Sequence, residues 1–189
     1  MASDQLTPRL VLLRHAKSDW PAGVDDLERP LGRRGIADAS QAGRELAAIA
    51  VPDVVLCSPA WRTRQTWGLV EEALKGAASD SGSSGSAEAS GSQPLVRFVP
   101  ALYGASVAEL ISLLQRVPAG TGTALVIGHE PTMSATAREI AGPDSAQDDL
   151  AHLRAKYPSS GMAVFRLGRT WAALDAGSAA LERFLIPRG

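Results

Sequence analysis

The chain has 189 residues, 45% hydrophobic and 21% charged, with nineteen basic and twenty acidic side chains giving a net charge of −1. That size and balance predict one compact domain over 1–189 with a sizeable core, and the lack of a basic excess argues against a nucleic-acid binder. The single cysteine, Cys57, excludes an internal disulfide. Met1 to Gln5 lacks the basic and apolar character of a secretory leader, and no apolar run approaches the ~20 residues of a membrane span, so a cytoplasmic protein with no membrane partner is expected.

Leu10-Val11-Leu12-Leu13 is apolar without alternation, the pattern of a strand buried on both faces. Arg33 to Ile49 has helical periodicity, with Ile36, Ala39, Gly43, Leu46 and Ala47 or Ala50 on one face. Asp53 to Cys57 is the next strand, and Pro59 suits the first turn of a helix running to about Leu74. Val96 to Val99 is a third strand, Ser106 to Gln115 a helix and Thr123 to Ile127 a strand. Pro131 to Ala141 forms a helix closed by Gly142. Met162 to Leu167, Trp171 to Leu174 and Leu181 to Ile186 are expected as edge strands. Strands alternating with helices predict a three-layer α/β/α sandwich around a mainly parallel sheet. Residues 76–93 hold seven Ser, four Gly and four Ala, with no apolar side chain larger than Ala. They are expected to form a disordered insert, which the fold can carry because loop closure costs only about 0.6 kcal/mol per doubling of length.

Open parallel sheets bind ligands at the carboxyl ends of their strands. Three predicted strands end there in reactive residues: Arg14-His15-Ala16-Lys17-Ser18, Ser58 to Thr66, and Gly128-His129-Glu130-Pro131. Each group alone is weak. An isolated Arg-His pair is usually surface, a lone His after a strand is usually structural, and Arg64 is best read as part of a solvated helix face. At three strand ends in this order, they point to one centre with two imidazoles and at least two guanidiniums.

These residues resemble the histidine phosphatase superfamily and, within it, the SixA-like phosphohistidine phosphatases. Leu13-Arg14-His15-Ala16-Lys17-Ser18 resembles the signature around the family's nucleophile, and Arg29-Pro30-Leu31-x-x-x-Gly35 its second segment. Ser58-Pro59-x-x-Arg62-x-x-Gln65-Thr66 and Gly128-His129-x-Pro131 are similar to the remaining two. The resemblance covers Leu10 to about Ala141 and implies a phosphoglycerate mutase-like fold. It also implies a covalent phosphohistidine intermediate on His15 and a phosphate-contacting, charge-stabilising role for His129.

The chemistry agrees. Phosphoryl transfer depends mostly on positioning and electrostatic stabilisation, and Arg14 and Arg62 offer planar forks for paired phosphate oxygens. At ~4 Å and an effective dielectric of about 20, each such pair contributes roughly 4 kcal/mol before desolvation. Neighbouring arginines also favour the neutral, nucleophilic form of His15. Ser18 is expected to bind substrate beside Arg14, Arg62 and His129, and Lys17 either extends the anion site or is a solvent-exposed loop lysine. The general acid is left open between Glu130, Asp19, Glu109 and no dedicated acid, because Ser106-Val107-Ala108-Glu109 reads as a capping box. Trp20 and Trp61 either wall the pocket or belong to the core. His152 reads as surface and Cys57 as a buried strand end.

Neither a metal nor a nucleotide cofactor is implied, since zinc-type Cys/His spacing and Walker-type glycine loops are missing. The expected function is a phosphatase acting on phosphohistidine or a small phosphomonoester. Its partner would be a phosphorylated protein or metabolite, and the chain a monomer or weak dimer. A small-molecule phosphatase or mutase of the same superfamily is the near alternative. A phosphate-binding module without catalysis is the alternative from another class.

Overall fold

A computed structural model of the protein describes residues 7–80 and 93–189, with only the backbone at residue 80. Strands β1 (Arg9–Arg14), β2 (Val54–Cys57), β3 (Leu95–Phe98) and β4 (Thr123–Gly128) run parallel. Strands β5 (Met162–Leu167) and β6 (Ala179–Leu185) join antiparallel, giving the order β3-β2-β4-β1-β5-β6. The helices are α1 (Arg33–Ala47), α2 (Trp61–Asp80), α3 (Val107–Leu114), α4 (Thr132–Ile140) and α5 (Gln147–Ala155).

Strand side chains alternate between two cores. Leu10 and Leu12 pack with residues of α3, α4 and α5 on one face, and Val11 and Leu13 with residues of α1 and α2 on the other. This accounts for the unbroken apolar run in β1, because both faces are covered. All four side chains are fully buried. At about 1.5–3 kcal/mol each, the run contributes roughly 6–12 kcal/mol as an upper estimate. The result is the expected α/β/α sandwich with a largely parallel sheet.

Several details differ from the sequence reading, and the first is that β5 lies inside the sheet between β1 and β6, where an edge strand was expected. Ile36 is 46% exposed, and Asp38 takes the buried place on α1. Burial of that carboxylate is compensated by Arg188 Nη1 at 3.1 Å and the Gly189 N–H at 3.3 Å. Helix α2 continues to Asp80, so 76–80 are helical where an insert was expected, while 81–92 lie outside the described residues. Helix α5 has no counterpart in the sequence pattern, because only Leu150 and Leu153 in it are buried. Trp171–Ala173 forms a 3₁₀ turn instead of a strand, with the Trp171 indole N–H bonded to the Thr121 carbonyl at 2.8 Å. Strand β3 begins one residue earlier than expected, at Leu95, and ends at Phe98. Among the described residues no helix is long and apolar enough to cross a membrane.

Candidate active site

Backbone hydrogen bonds hold the three reactive strand ends together. The His15 N–H donates to the Gly128 carbonyl at 3.0 Å, and the Ser58 N–H to the Ile127 carbonyl at 3.0 Å. The loop after β1 is then clamped from both sides. The Ala16 N–H donates to Thr66 Oγ1 at 3.1 Å, and the Leu31 N–H to Gln65 Oε1 at 2.8 Å. Gln65 and Thr66 of the second segment therefore brace the loop. Gly35 has a steric reason: a Cβ there would lie 2.0 Å from the Lys17 carbonyl oxygen, so only glycine lets α1 approach so closely.

His15 Nδ1 lies 2.7 Å from the Ala16 carbonyl oxygen. A carbonyl only accepts, so Nδ1 carries the proton and Nε2 keeps its lone pair. Burial pushes the His15 pKa down to about 3, helped by His129, Arg62 and Arg14 and opposed by the Ala16 hydrogen bond. The ring is thus neutral across the physiological range, with the Nε2 lone pair available. The His129 ring centroid lies 5.2 Å away. Arg62 Nη2, a donor, is 3.3 Å from His129 Nδ1, so Nδ1 accepts and Nε2–H donates to buried Ser58 Oγ at 2.7 Å. Burial, then the Arg62 charge, lowers the His129 pKa to about 4, with Asp26 opposing and Arg14 reinforcing. Both His129 nitrogens therefore already have partners, and a direct phosphoryl contact would need a proton in place of the Arg62 bond at Nδ1.

The two arginines share one feature. Arg14 Nη1 donates to the Tyr157 carbonyl at 2.8 Å, while its Nε is buried with no partner among the described residues. Arg62 is 5% exposed; its Nη1 and Nη2 are held by Asp26, and its Nε too is buried without a partner. A buried N–H without an acceptor costs about 1–3 kcal/mol. Two such donors beside two imidazoles fit a tetrahedral oxyanion.

The structure brings Arg14, His15, Arg62 and His129 together as expected. Ser18 is buried, and its Oγ accepts from Arg29 Nη2 at 2.9 Å; Lys17 and Asp19 are exposed in the same loop. Glu130 Oε2 accepts the Ser134 N–H at 3.0 Å in the first turn of α4, and its charge acts on Arg14. Glu109 is occupied by the capping box with Ser106. Trp20 and Trp61 are both exposed rather than core, and Trp20 stacks on Arg29, whose Cζ lies 3.7 Å from the ring centroid. Arg64 is exposed, as read, with its Cζ over Phe98 at 4.9 Å. His152 is exposed and Cys57 fully buried.

Sequence reasoning gave no role to Asp26, Tyr103, Arg29 or Ser58. Arg29 and Ser58 lie inside the second and third motif segments, and that placement is their signal in the sequence. Asp26 and Tyr103 carried no signal, since they reach Arg62 and each other across 36 and 77 residues of chain. A cleft of about 710 Å³, lined in part by Thr7, Asp53, Gly122 and Arg169, opens at the amino ends of the strands, away from this centre. The chemistry, not cavity size, locates the site.

Fold and site define a three-layer α/β protein with paired imidazoles and guanidiniums at the carboxyl ends of its central strands. The histidine phosphatase superfamily (branch 1) profile matches residues 10–80. An uncharacterised Mycobacterium tuberculosis protein is 39% identical over 180 residues, spanning 93% of this chain and 100% of that one. A candidate phosphohistidine phosphatase SixA from Nakamurella multipartitia is 31% identical. It superposes with a TM-score of 0.76 over 95% of this chain and 96% of that one. A second, from Agrobacterium tumefaciens, is 28% identical with a TM-score of 0.72, over 95% and 98% of the two chains. The chain belongs to the histidine phosphatase superfamily.

Proposed function

We propose that the protein is a phosphatase that moves a phosphoryl group from phosphohistidine or a small phosphomonoester to His15 Nε2 and then to water. The observation that carries this reading is the pair of buried Nε donors of Arg14 and Arg62, without partners among the described residues, beside an imidazole held neutral with its Nδ1 protonated. The likeness to two SixA structures supports the phosphohistidine end of that range.

In the first step the Nε2 lone pair forms a bond to phosphorus. The bond to the leaving nitrogen or oxygen breaks, and the leaving group takes up a proton. Arg14 and Arg62 stabilise the charge on the equatorial oxygens. In the second step water attacks phosphorus and gives up a proton to the Glu130 carboxylate, the P–N bond breaks, and its electron pair returns to Nε2 as phosphate leaves. Glu130 is the proposed proton donor. His129 acts through Arg62 and Ser58 and takes a phosphate contact when its Nδ1 is protonated. Because the positive charge comes from two arginines, the reaction is taken to need no metal. The reading places the enzyme in the cytoplasm, acting on a phosphorylated protein or metabolite as a monomer or weak dimer.

The test compares substrates and traps the intermediate. Phosphohistidine and aryl phosphates should exceed simple sugar phosphates in kcat/KM by about 10²-fold or more, because alkoxides need strong acid assistance. Acid-sensitive, alkali-stable phosphate should be recovered on the wild-type chain and not on His15→Ala. Turnover by His15→Ala above background would overturn the nucleophile. Equal turnover of sugar phosphates and phosphohistidine would replace the SixA-like reading with a broad small-molecule phosphatase.

A further inference from the structure

A guanidinium has two forked edges, an outer one between Nη1 and Nη2 and an inner one between Nε and Nη2. In Arg62 the outer edge is closed by a single residue. Nη1 donates to the Asp26 carbonyl and Nη2 to Asp26 Oδ2 at 3.0 Å. Nη2 also lies 3.3 Å from His129 Nδ1, and Nε is the buried donor without a partner among the described residues. The inner edge therefore lies on the side of the imidazoles.

We propose that Asp26 is the positioning residue of the phosphate clamp, holding the outer edge of Arg62 so that the inner edge receives the phosphoryl oxygens. The proposal rests on the phosphatase reading above. Asp26 is itself fixed from two directions. The Tyr103 hydroxyl donates to Oδ2, and Arg29 Nη1 donates to Oδ1 at 2.9 Å. Arg29 then ties this group to the nucleophile loop, through Ser18 Oγ at 2.9 Å and the Asp19 carbonyl at 3.1 Å. One chain of hydrogen bonds thus connects the loop carrying His15 to the orientation of Arg62. Hydrogen bonds from Tyr103 and Arg29, with the Arg62 charge behind them, also hold the Asp26 carboxyl well below the usual carboxylate range, so it stays an acceptor at every working pH. A carboxylate at this point neutralises a buried guanidinium that would otherwise be unpaired. Asp26 gives up some attraction for phosphate and gains a fixed clamp geometry, which is the larger lever on the transition state.

The opposite role would be a plug, in which Asp26 competes with phosphate for Arg62, and the two roles predict opposite signs. The full-length wild type, Asp26→Ala, Asp26→Asn, Arg62→Ala and the Asp26→Ala/Arg62→Ala double variant would be assayed with p-nitrophenyl phosphate. Inorganic phosphate inhibition and Tm would be measured on each. Asp26→Ala should lose about 10- to 100-fold in kcat, with a smaller change in KM and weaker phosphate inhibition. Asp26→Asn, which keeps an oxygen for Arg62 and Tyr103, should recover much of that loss. The double variant should be no worse than Arg62→Ala alone, because Asp26 acts through Arg62. Four results would overturn the proposal: kcat/KM of Asp26→Ala within about threefold of wild type, tighter phosphate binding as for a plug, no recovery in Asp26→Asn, or losses that add to those of Arg62→Ala. A wild type that neither turns over nor binds phosphate overturns the phosphatase reading itself, and this is seen before any variant is compared.

Discussion

Lowering the pH from 7 to 5 should destabilise the fold by an amount that His15 and His129 determine. In the unfolded chain both titrate near 6.5; in the folded chain burial moves His15 to about 3 and His129 to about 4. Below 6.5 the unfolded state therefore binds protons that the folded state refuses. Stability contributed by the neutral rings is complete above 6.5 and is lost as the pH falls toward 4 and 3. Integrated from pH 7 to pH 5, each ring accounts for about 2 kcal/mol, or roughly 4 kcal/mol together. That is a large share of the ~5–15 kcal/mol a domain usually has. Asp26 adds nothing in this window, because its ordinary value of 3.8 already lies below it and the folded value is lower still. Urea unfolding followed by tryptophan fluorescence at the two pH values measures the difference. His15→Asn should remove about half of it and the His15→Asn/His129→Asn pair most of it. A wild-type difference under about 1 kcal/mol, or a double variant with the same pH dependence, would refute the claim that these rings are buried neutral.

Arg62→Ala should lower kcat/KM by about 10³-fold with the fold intact, as loss of a charge-stabilising arginine does in other phosphoryl transfers; a loss below about tenfold would remove Arg62 from the clamp. Turnover should survive EDTA, and activity lost to chelation and restored by Mg²⁺ or Zn²⁺ would overturn the mechanism. Glu130→Gln should impair alkyl phosphates by about 10²-fold and activated aryl phosphates much less, as removal of a general acid requires. If both classes fall alike, Glu130 serves α4 through Ser134 and not the leaving group.

The buried strands were legible because covering both faces leaves an unbroken apolar signature, as in Leu10 to Leu13. The four charged or polar groups of the centre were legible because each directly follows such a strand or opens the next helix. What escaped had its physical cause elsewhere in the chain. Asp38 replaces Ile36 on the buried side of α1 because Arg188 and Gly189 from the far end of the sequence satisfy its carboxylate. Helix α5 rests on two leucines amid charge, too few to generate a period. Asp26 lies on a 3₁₀ turn with no buried residue, so neither periodicity nor composition could mark it. Tyr103 resembles any surface tyrosine until Asp26 is placed beside it.

The register of β1 against β4 has a consequence for what this scaffold can become. Arg14 stands opposite Gly128, so His15 and His129 follow neighbouring parallel strands at the same level. Their 5.2 Å ring separation is close to the ~4.8 Å between adjacent strands. The sheet acts as a ruler for the two imidazoles, and six paired residues from Arg9 to Arg14 keep it rigid. No single substitution in a loop can lengthen that ruler. The rim is made differently: Trp20 and Leu27 stand open to solvent. Descendants of this chain can therefore change what borders the two rings one rim residue at a time, while the distance between His15 and His129 is inherited unchanged.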